Sequence, residues 1–192
     1  MVLPIVAYGD PVLRKVGTEI DKEYPNLKEL IENMKATMKN ARGVGLAAPQ
    51  IGKAIRLFIV DTTPFADDDD LSKEEQDFLK SFSKVFINAK ITSEEGNEWA
   101  FSEGCLSIPN INEDVFRNEK LTIEYFDEKF KKHTEQLDGL AARVVQHEYD
   151  HIEGILFTDK LSSLKKRLLK KKLNNISKGN IDVDYRMKFP KK

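Results

Sequence analysis

The spacing of hydrophobic positions changes several times along the chain, and each change marks an element. Leu27, Leu30, Ile31, Met34 and Met38 recur with a period of about 3.6 residues. They predict a helix capped by Asn26 and running to about Ala41, with this stripe towards the core. Upstream, Gly9-Asp10-Pro11 and Gly17 punctuate residues 4–20 and predict extended chain and turns. Residues 55–60 are a nearly continuous apolar run, the pattern of a buried strand. β-Branched and aromatic residues over 85–91 and 121–126 predict two more strands. Residues 62–82 read as an insertion, with a solvated run of four aspartates at 67–70 that lacks the spacing of a calcium loop. A short helix follows, capped by Ser72 with Glu75 closing a capping box, and Phe78, Leu79 and Phe82 form its apolar side. Asp138 caps a further helix that runs to about Glu153 and stops at Gly154. Ser162 or Ser163 opens the last helix, with Leu164, Leu168 and Leu169 inward and lysines outward, and no period follows Gly179.

Composition narrows the class. At 40% hydrophobic and 33% charged residues, the 192-residue chain reads as a rather polar globular protein. There is no internal repeat or Gly/Ser-rich linker, so one domain over residues 1–192 is expected. Within it, 62–82 is the acidic insertion and 160–192 a basic C-terminal helix and tail. No apolar run approaches the ~20 residues of a membrane span, so no membrane partner is expected. The short apolar start has no basic flank and does not read as a signal peptide. The single cysteine, Cys105, excludes an internal disulfide and fits a reducing compartment, which points to the cytoplasm. Net charge is −1, yet residues 160–192 hold twelve Lys and Arg against two Asp, a local balance of +10 that leaves −11 on the rest. Such a tail suits a polyanionic partner such as nucleic acid or a ribosome surface, and equally a solvated helix face.

Three stretches carry chemistry. In Gln146-His-Glu-Tyr-Asp-His151, two histidines four residues apart differ by about 40° around a helix, so both imidazoles leave one face. With Glu148 beside them, this is the spacing that binds a divalent metal and sets a carboxylate next to its water. A polar helix face would show the same letters. Two histidines leave a metal short of a third protein ligand, and this gives the lone Cys105 another reading than a small buried apolar residue. The glycines and alanines of Gly43-Val-Gly-Leu-Ala-Ala-Pro-Gln50 permit close backbone approach, and Pro49 is expected to keep Ala48 out of helical geometry. That loop is either a plain turn or a means of holding the Gln50 amide towards a ligand. Arg143, four residues before His147 and on the same face, either lines the site or pairs with an acid at its rim, the rim being favoured, and His133 is expected to lie exposed in a charged loop.

These two stretches and Glu103-Gly-Cys-Leu-Ser107 resemble, in order and composition, the three signature motifs of peptide deformylases. Gly9-Asp10-Pro11-Val-Leu-Arg14 and Gly154-Ile-Leu-Phe157 extend the resemblance over most of the chain, without reaching residues 62–82 or the tail beyond about 180. The resemblance implies an α+β fold, with a central metal-binding helix packed against antiparallel β-sheets and a C-terminal helix. It implies Cys105, His147 and His151 as metal ligands, with Fe2+ in the cell and Zn2+, Ni2+ or Co2+ able to substitute. It further implies Glu148 as acid/base, Gln50 and the Leu106 N–H as donors to the reacting oxygen, and Val44 and Gly45 as contacts to the substrate backbone. The implied reaction removes the N-formyl group from N-formyl-methionyl nascent peptides and releases formate, and the C-terminal helix is implied in docking to the ribosome.

Methionine selectivity needs an apolar pocket, for which Val44, Leu140 and Val144 are candidates; the last two also suit core packing. Two other classes would share parts of this pattern. A zinc peptidase with the same helix usually draws a third His or Glu from downstream, but no histidine follows His151 and Glu153 is too close. An RNA-binding protein keeping an inert fold would have no need of Glu148.

Overall fold

In the computed structural model, which describes residues 1–190, the N-terminal segment is extended apart from one 3-10 turn, as its turn residues require. The last two lysines of the basic tail lie outside the described residues. Strand β1 (Ile5–Val6) is followed by helix α1 (Leu27–Asn40), which buries Leu30, Ile31, Met34 and Met38 and leaves Leu27 partly covered. Asn26 occupies the cap position differently from the expectation. It is left-handed (φ 57°) and its side chain makes no capping hydrogen bond, a conformation its short polar side chain tolerates.

The small-residue stretch is not a single loop. Gly45–Ala47 forms strand β2, and Ala48–Ile51 a 3-10 turn. The residue held extended is Ala47 rather than Ala48, because Pro49 sits in the first turn, where no N–H is needed. Strand β3 (Leu57–Asp61) is buried as its apolar run predicts. Helix α2 (Lys73–Ser81) begins with the expected capping box: Glu75 N–H donates to Ser72 Oγ at 3.3 Å, and Ser72 N–H to Glu75 Oε2 at 3.0 Å. Leu79 and Phe82 are buried by it, whereas Phe78 stays exposed.

Strands β4 (Ser83–Cys105) and β5 (Ile108–Phe126) make a hairpin far longer than the two short runs suggested. Register shifts between Ile87 and Lys90, Ile91 and Ser93, and Glu95 and Glu98 break the period-two alternation that would have revealed it. The chain turns at Leu106–Ser107, just past Cys105, while Gly104 remains in the strand. Strand β6 (Lys132–Asp138) pairs with β5 and contains His133, which is therefore not in an exposed loop. That ring is partly buried, 2.8 Å from Asp127 Oδ2, and stacks on Tyr125.

Helix α3 (Gly139–Ile152) starts after Asp138, whose side chain makes no capping bond, and ends before Gly154. Gly154 has φ 72°, and a Cβ there would lie 2.7 Å from the Arg14 carbonyl oxygen, so only glycine suits this exit. Helix α4 (Ser163–Ser177) is capped by Ser162, whose hydroxyl accepts from Lys165 N–H. Of the three leucines expected inward, only Leu169 is buried. Leu169, Leu173 and Ile176 are buried, while Leu164 and Leu168 are 59% and 70% exposed. Strand β7 (Met187–Lys188) closes the chain by pairing with β1.

The main sheet is antiparallel, ordered β2-β3-β4-β5-β6, whereas the β1-β7 pair is parallel, a departure from the all-antiparallel expectation. Along β3, Leu57 and Ile59 join the core under α1, and Phe58 and Val60 join the core that holds α2 and α3. Both faces of the sheet are covered, which is why this strand reads as continuous rather than alternating. A third cluster joins Ile108, Ile111 and Val115 to Leu13, Phe157 and the inner face of α4. The result is an α+β fold in which α3 packs against the main sheet and the Ala48–Ile51 turn. No helix among the described residues is long and apolar enough to cross a membrane.

Candidate active site

Helix α3 places His147, Glu148 and His151 beneath the end of β4, which brings Cys105 to them. The ligand atoms of Cys105, His147 and His151 all lie within 4.8 Å of one another, and Cys105 Sγ is 3.3 Å from His151 Nε2. One sulfur and two imidazole nitrogens at this spacing fit a divalent transition metal.

The orientation of His147 is set from behind. Its Nδ1–H donates to Glu103 Oε2 at 2.9 Å, leaving Nε2 for the site. Glu103 is held in turn by a two-pronged bond from Arg117 (2.7 and 2.9 Å) and by Arg143 at 3.0 Å. Arg117 also reaches Asp150 at 2.7 Å. Burial opposes the charge on Glu103, but hydrogen bonds from Arg117 and His147 outweigh it and hold the carboxyl well below the ordinary range. Arg143 is thus not at the rim. It is only 2% exposed, donates to the carbonyls of Val115 and Trp99, and lies 4.4 Å over the Trp99 ring.

Glu148 has the opposite surroundings. Its Oε2 is buried without a partner, and burial, with a further push from Glu103, raises its carboxyl to about 7. A Cβ at position 45 would collide with the Glu148 carboxylate, so Gly45 is what lets β2 pass so close. Gln50 is locked by its own turn: Ala47 N–H donates to Gln50 Oε1 at 2.8 Å, which aims Nε2 at Cys105 Sγ, 3.5 Å away. The amide therefore faces the site.

These groups open onto a cavity of about 450 Å³. A metal-binding trio with an unpaired carboxylate and an aimed amide is the equipment of a hydrolase. The polypeptide deformylase family model matches residues 2–167. The chain belongs to that family. It is 66% identical to the peptide deformylase of Christiangramia forsetii over 99% of this chain and 97% of that protein. It is also 66% identical to the Flavobacterium johnsoniae peptide deformylase, over 98% and 96%. Among solved structures, the peptide deformylase of Thermus thermophilus matches with a TM-score of 0.79 at 38% identity, covering 93% of this chain and 99% of that one.

Of the residues singled out from the sequence, Val44, Gly45, Gln50, Cys105, Leu106, Arg143, Val144, His147 and Glu148 all line the cavity, and His151 lies just beneath them. Leu140 is not in the lining and packs partly buried against the core. Sequence reasoning assigned no role to Glu103, Arg117 or Asp150, because pairing across three elements leaves no local pattern. It also missed Tyr185 and its neighbours, which line the cavity from the tail.

Proposed function

We propose that this chain hydrolyses the N-formyl group of N-terminal formyl-methionine on newly made polypeptides, with Glu148 as acid/base and Gln50 and Leu106 as oxygen donors. The observation that carries this reading is the convergence of Cys105, His147 and His151 with an unpaired Glu148 carboxylate and the aimed Gln50 amide on one cavity. Cys105, His147 and His151 would hold a divalent metal ion, which would supply Lewis-acid chemistry for the formyl carbonyl and the attacking water. Glu148 takes the proton of the attacking water as the new C–O bond forms, then delivers it to the amine nitrogen as the C–N bond breaks. Formate and a free amino terminus are the products. Gln50 Nε2–H and Leu106 N–H donate to the oxygen on which negative charge builds, each such donor being worth ~3 kcal/mol.

Val44 and Gly45 would contact the substrate backbone, a role supported by β2 being the outermost strand of its sheet. Val144, with Phe65, Phe101 and Ile108 in the same lining, would receive the methionine side chain. A pocket of this kind discriminates by only ~1–3 kcal/mol per methylene, so near-isosteric side chains should be accepted. Fe2+ is the proposed metal in the cell, with Zn2+, Ni2+ and Co2+ suited to the same sulfur and imidazole donors.

The proposed setting is the cytoplasm, at the ribosome, to which the lysine-rich outer face of α4 would dock. Reversing charge at Lys170, Lys171 and Lys172 should abolish co-sedimentation with ribosomes, and undiminished co-sedimentation would refute docking through α4. The activity itself is tested by assaying formate release from formyl-Met peptides against cleavage of the unformylated ones. Cleavage of the unformylated peptide alone would make the chain a peptidase.

A further inference from the structure

The tail beyond residue 178 lies past the family match, which ends at residue 167, and returns to the cavity through Val183, Asp184 and Tyr185. Ile5 N–H donates to Arg186 O at 2.8 Å and Ala7 N–H to Lys188 O at 2.9 Å, so the two ends of the chain are stitched together. Both ends grip the turn that follows Cys105. Tyr185 Oη donates to Leu106 O at 2.8 Å, and Tyr8 N–H donates to Ser107 O at 2.8 Å. Asn110 Nδ2 donates to Asp182 O at 3.2 Å, which ties the tail to the start of β5. The hairpin ladder does not hold this turn unaided, because its register shifts between Gly104 and Cys105, immediately before it. On its other side the Leu106 side chain lies against Gly43, where a Cβ would come within 2.7 Å of Leu106 Cδ1.

The geometry points to Tyr185 as a positioning residue for the deformylation site. The C=O and N–H of Leu106 flank one Cα, so pinning the carbonyl limits the swing of the N–H and of the preceding Cys105. A donor acts on developing charge only as well as it is held in place beforehand. The proposal rests on the reading of Leu106 N–H as an oxygen donor, and it gives the C-terminal tail a part in the chemistry that α4 alone does not have.

Tyr185→Phe removes the hydroxyl and keeps the ring. In metal-loaded protein, kcat for a formyl-Met peptide should fall about two- to tenfold, the range expected from one lost hydrogen bond, while KM stays within about twofold and metal content is unchanged. In metal-free protein, iodoacetamide should alkylate Cys105, the sole cysteine, faster by a similar factor, because the turn it precedes is loosened. Both changes together support the positioning role. Unchanged alkylation overturns it, whatever kcat does. Faster alkylation with wild-type kcat overturns the Leu106 reading and with it the catalytic part of the proposal.

Discussion

Helix α3 is shared by two clusters of buried charge built on opposite rules. Around Glu103, Arg117, Arg143 and Asp150 nearly every polar atom has a partner, Arg143 Nε being an exception. Around Glu148 and His151, a carboxylate oxygen and a ring nitrogen have none. The same burial therefore has opposite outcomes, with Glu103 held well below the ordinary carboxylate range and Glu148 pushed up to about 7. His147 belongs to both clusters, with Nδ1 on Glu103 and Nε2 towards the ligands. The difference shows how a reactive arrangement is kept from relaxing. Arginines that would otherwise neutralise Glu148 are already engaged by Glu103 and Asp150, and breaking such a pair leaves a costly uncompensated charge.

Arg117→Leu attacks the paired cluster and should have the largest effect. It strands Glu103 and Asp150 and should cost about 3–5 kcal/mol in denaturant unfolding. Because it also frees His147 to turn, metal affinity should fall roughly 10–100-fold in a competition titration. Gln50→Ala tests the unpaired side. It should lower kcat by about 10²–10³-fold, since its amide is one of the proposed oxygen donors, and cost about 1–3 kcal/mol in thermal unfolding, because the buried Ala47 N–H loses its acceptor.

A pH comparison on metal-free protein separates the clusters. Glu148 has a folded value of about 7 against 4.5 in the unfolded chain, so the folded metal-free protein holds the extra proton between them. Stability from this group is therefore full below about 4.5 and lost as pH rises through 7, by on the order of 3 kcal/mol. Glu148→Gln should flatten that fall, and the variant's advantage over wild type in metal-free unfolding should grow from pH 5 to pH 8. The smallest effect is expected outside both clusters. Ser72→Ala removes the α2 cap and should cost about 1 kcal/mol with activity intact.

The features legible in the sequence were those written within a few residues. The α1 stripe, the Ser72–Glu75 capping box and the His147–His151 spacing all depend on neighbours one helical turn away. Features set by distant partners were not legible. Arg143 reads as a surface cation until Glu103 and two backbone carbonyls, from Val115 and Trp99, close around it. Helix α4 buries Leu169 as its pattern predicts, but only packing against Ile108, Ile111 and Val115 selects Leu173 over Leu164 and Leu168 as its neighbour inside. Bulges hid the length of the β4–β5 hairpin. Tyr185 lies in a stretch with no period, and its contact with Leu106 joins segments far apart in sequence.

The division of labour on α3 is tested most directly by formate release from a formyl-Met peptide, measured on anaerobically purified wild type and Glu148→Gln with metal content determined on the same samples. Both proteins should hold one divalent metal per chain, and the variant's kcat should be lower by about 10²–10⁴-fold. A metal-loaded Glu148→Gln protein turning over at nearly the wild-type rate would contradict the role of Glu148. So would formate release by wild type from which the metal had been removed, for the part assigned to Cys105, His147 and His151.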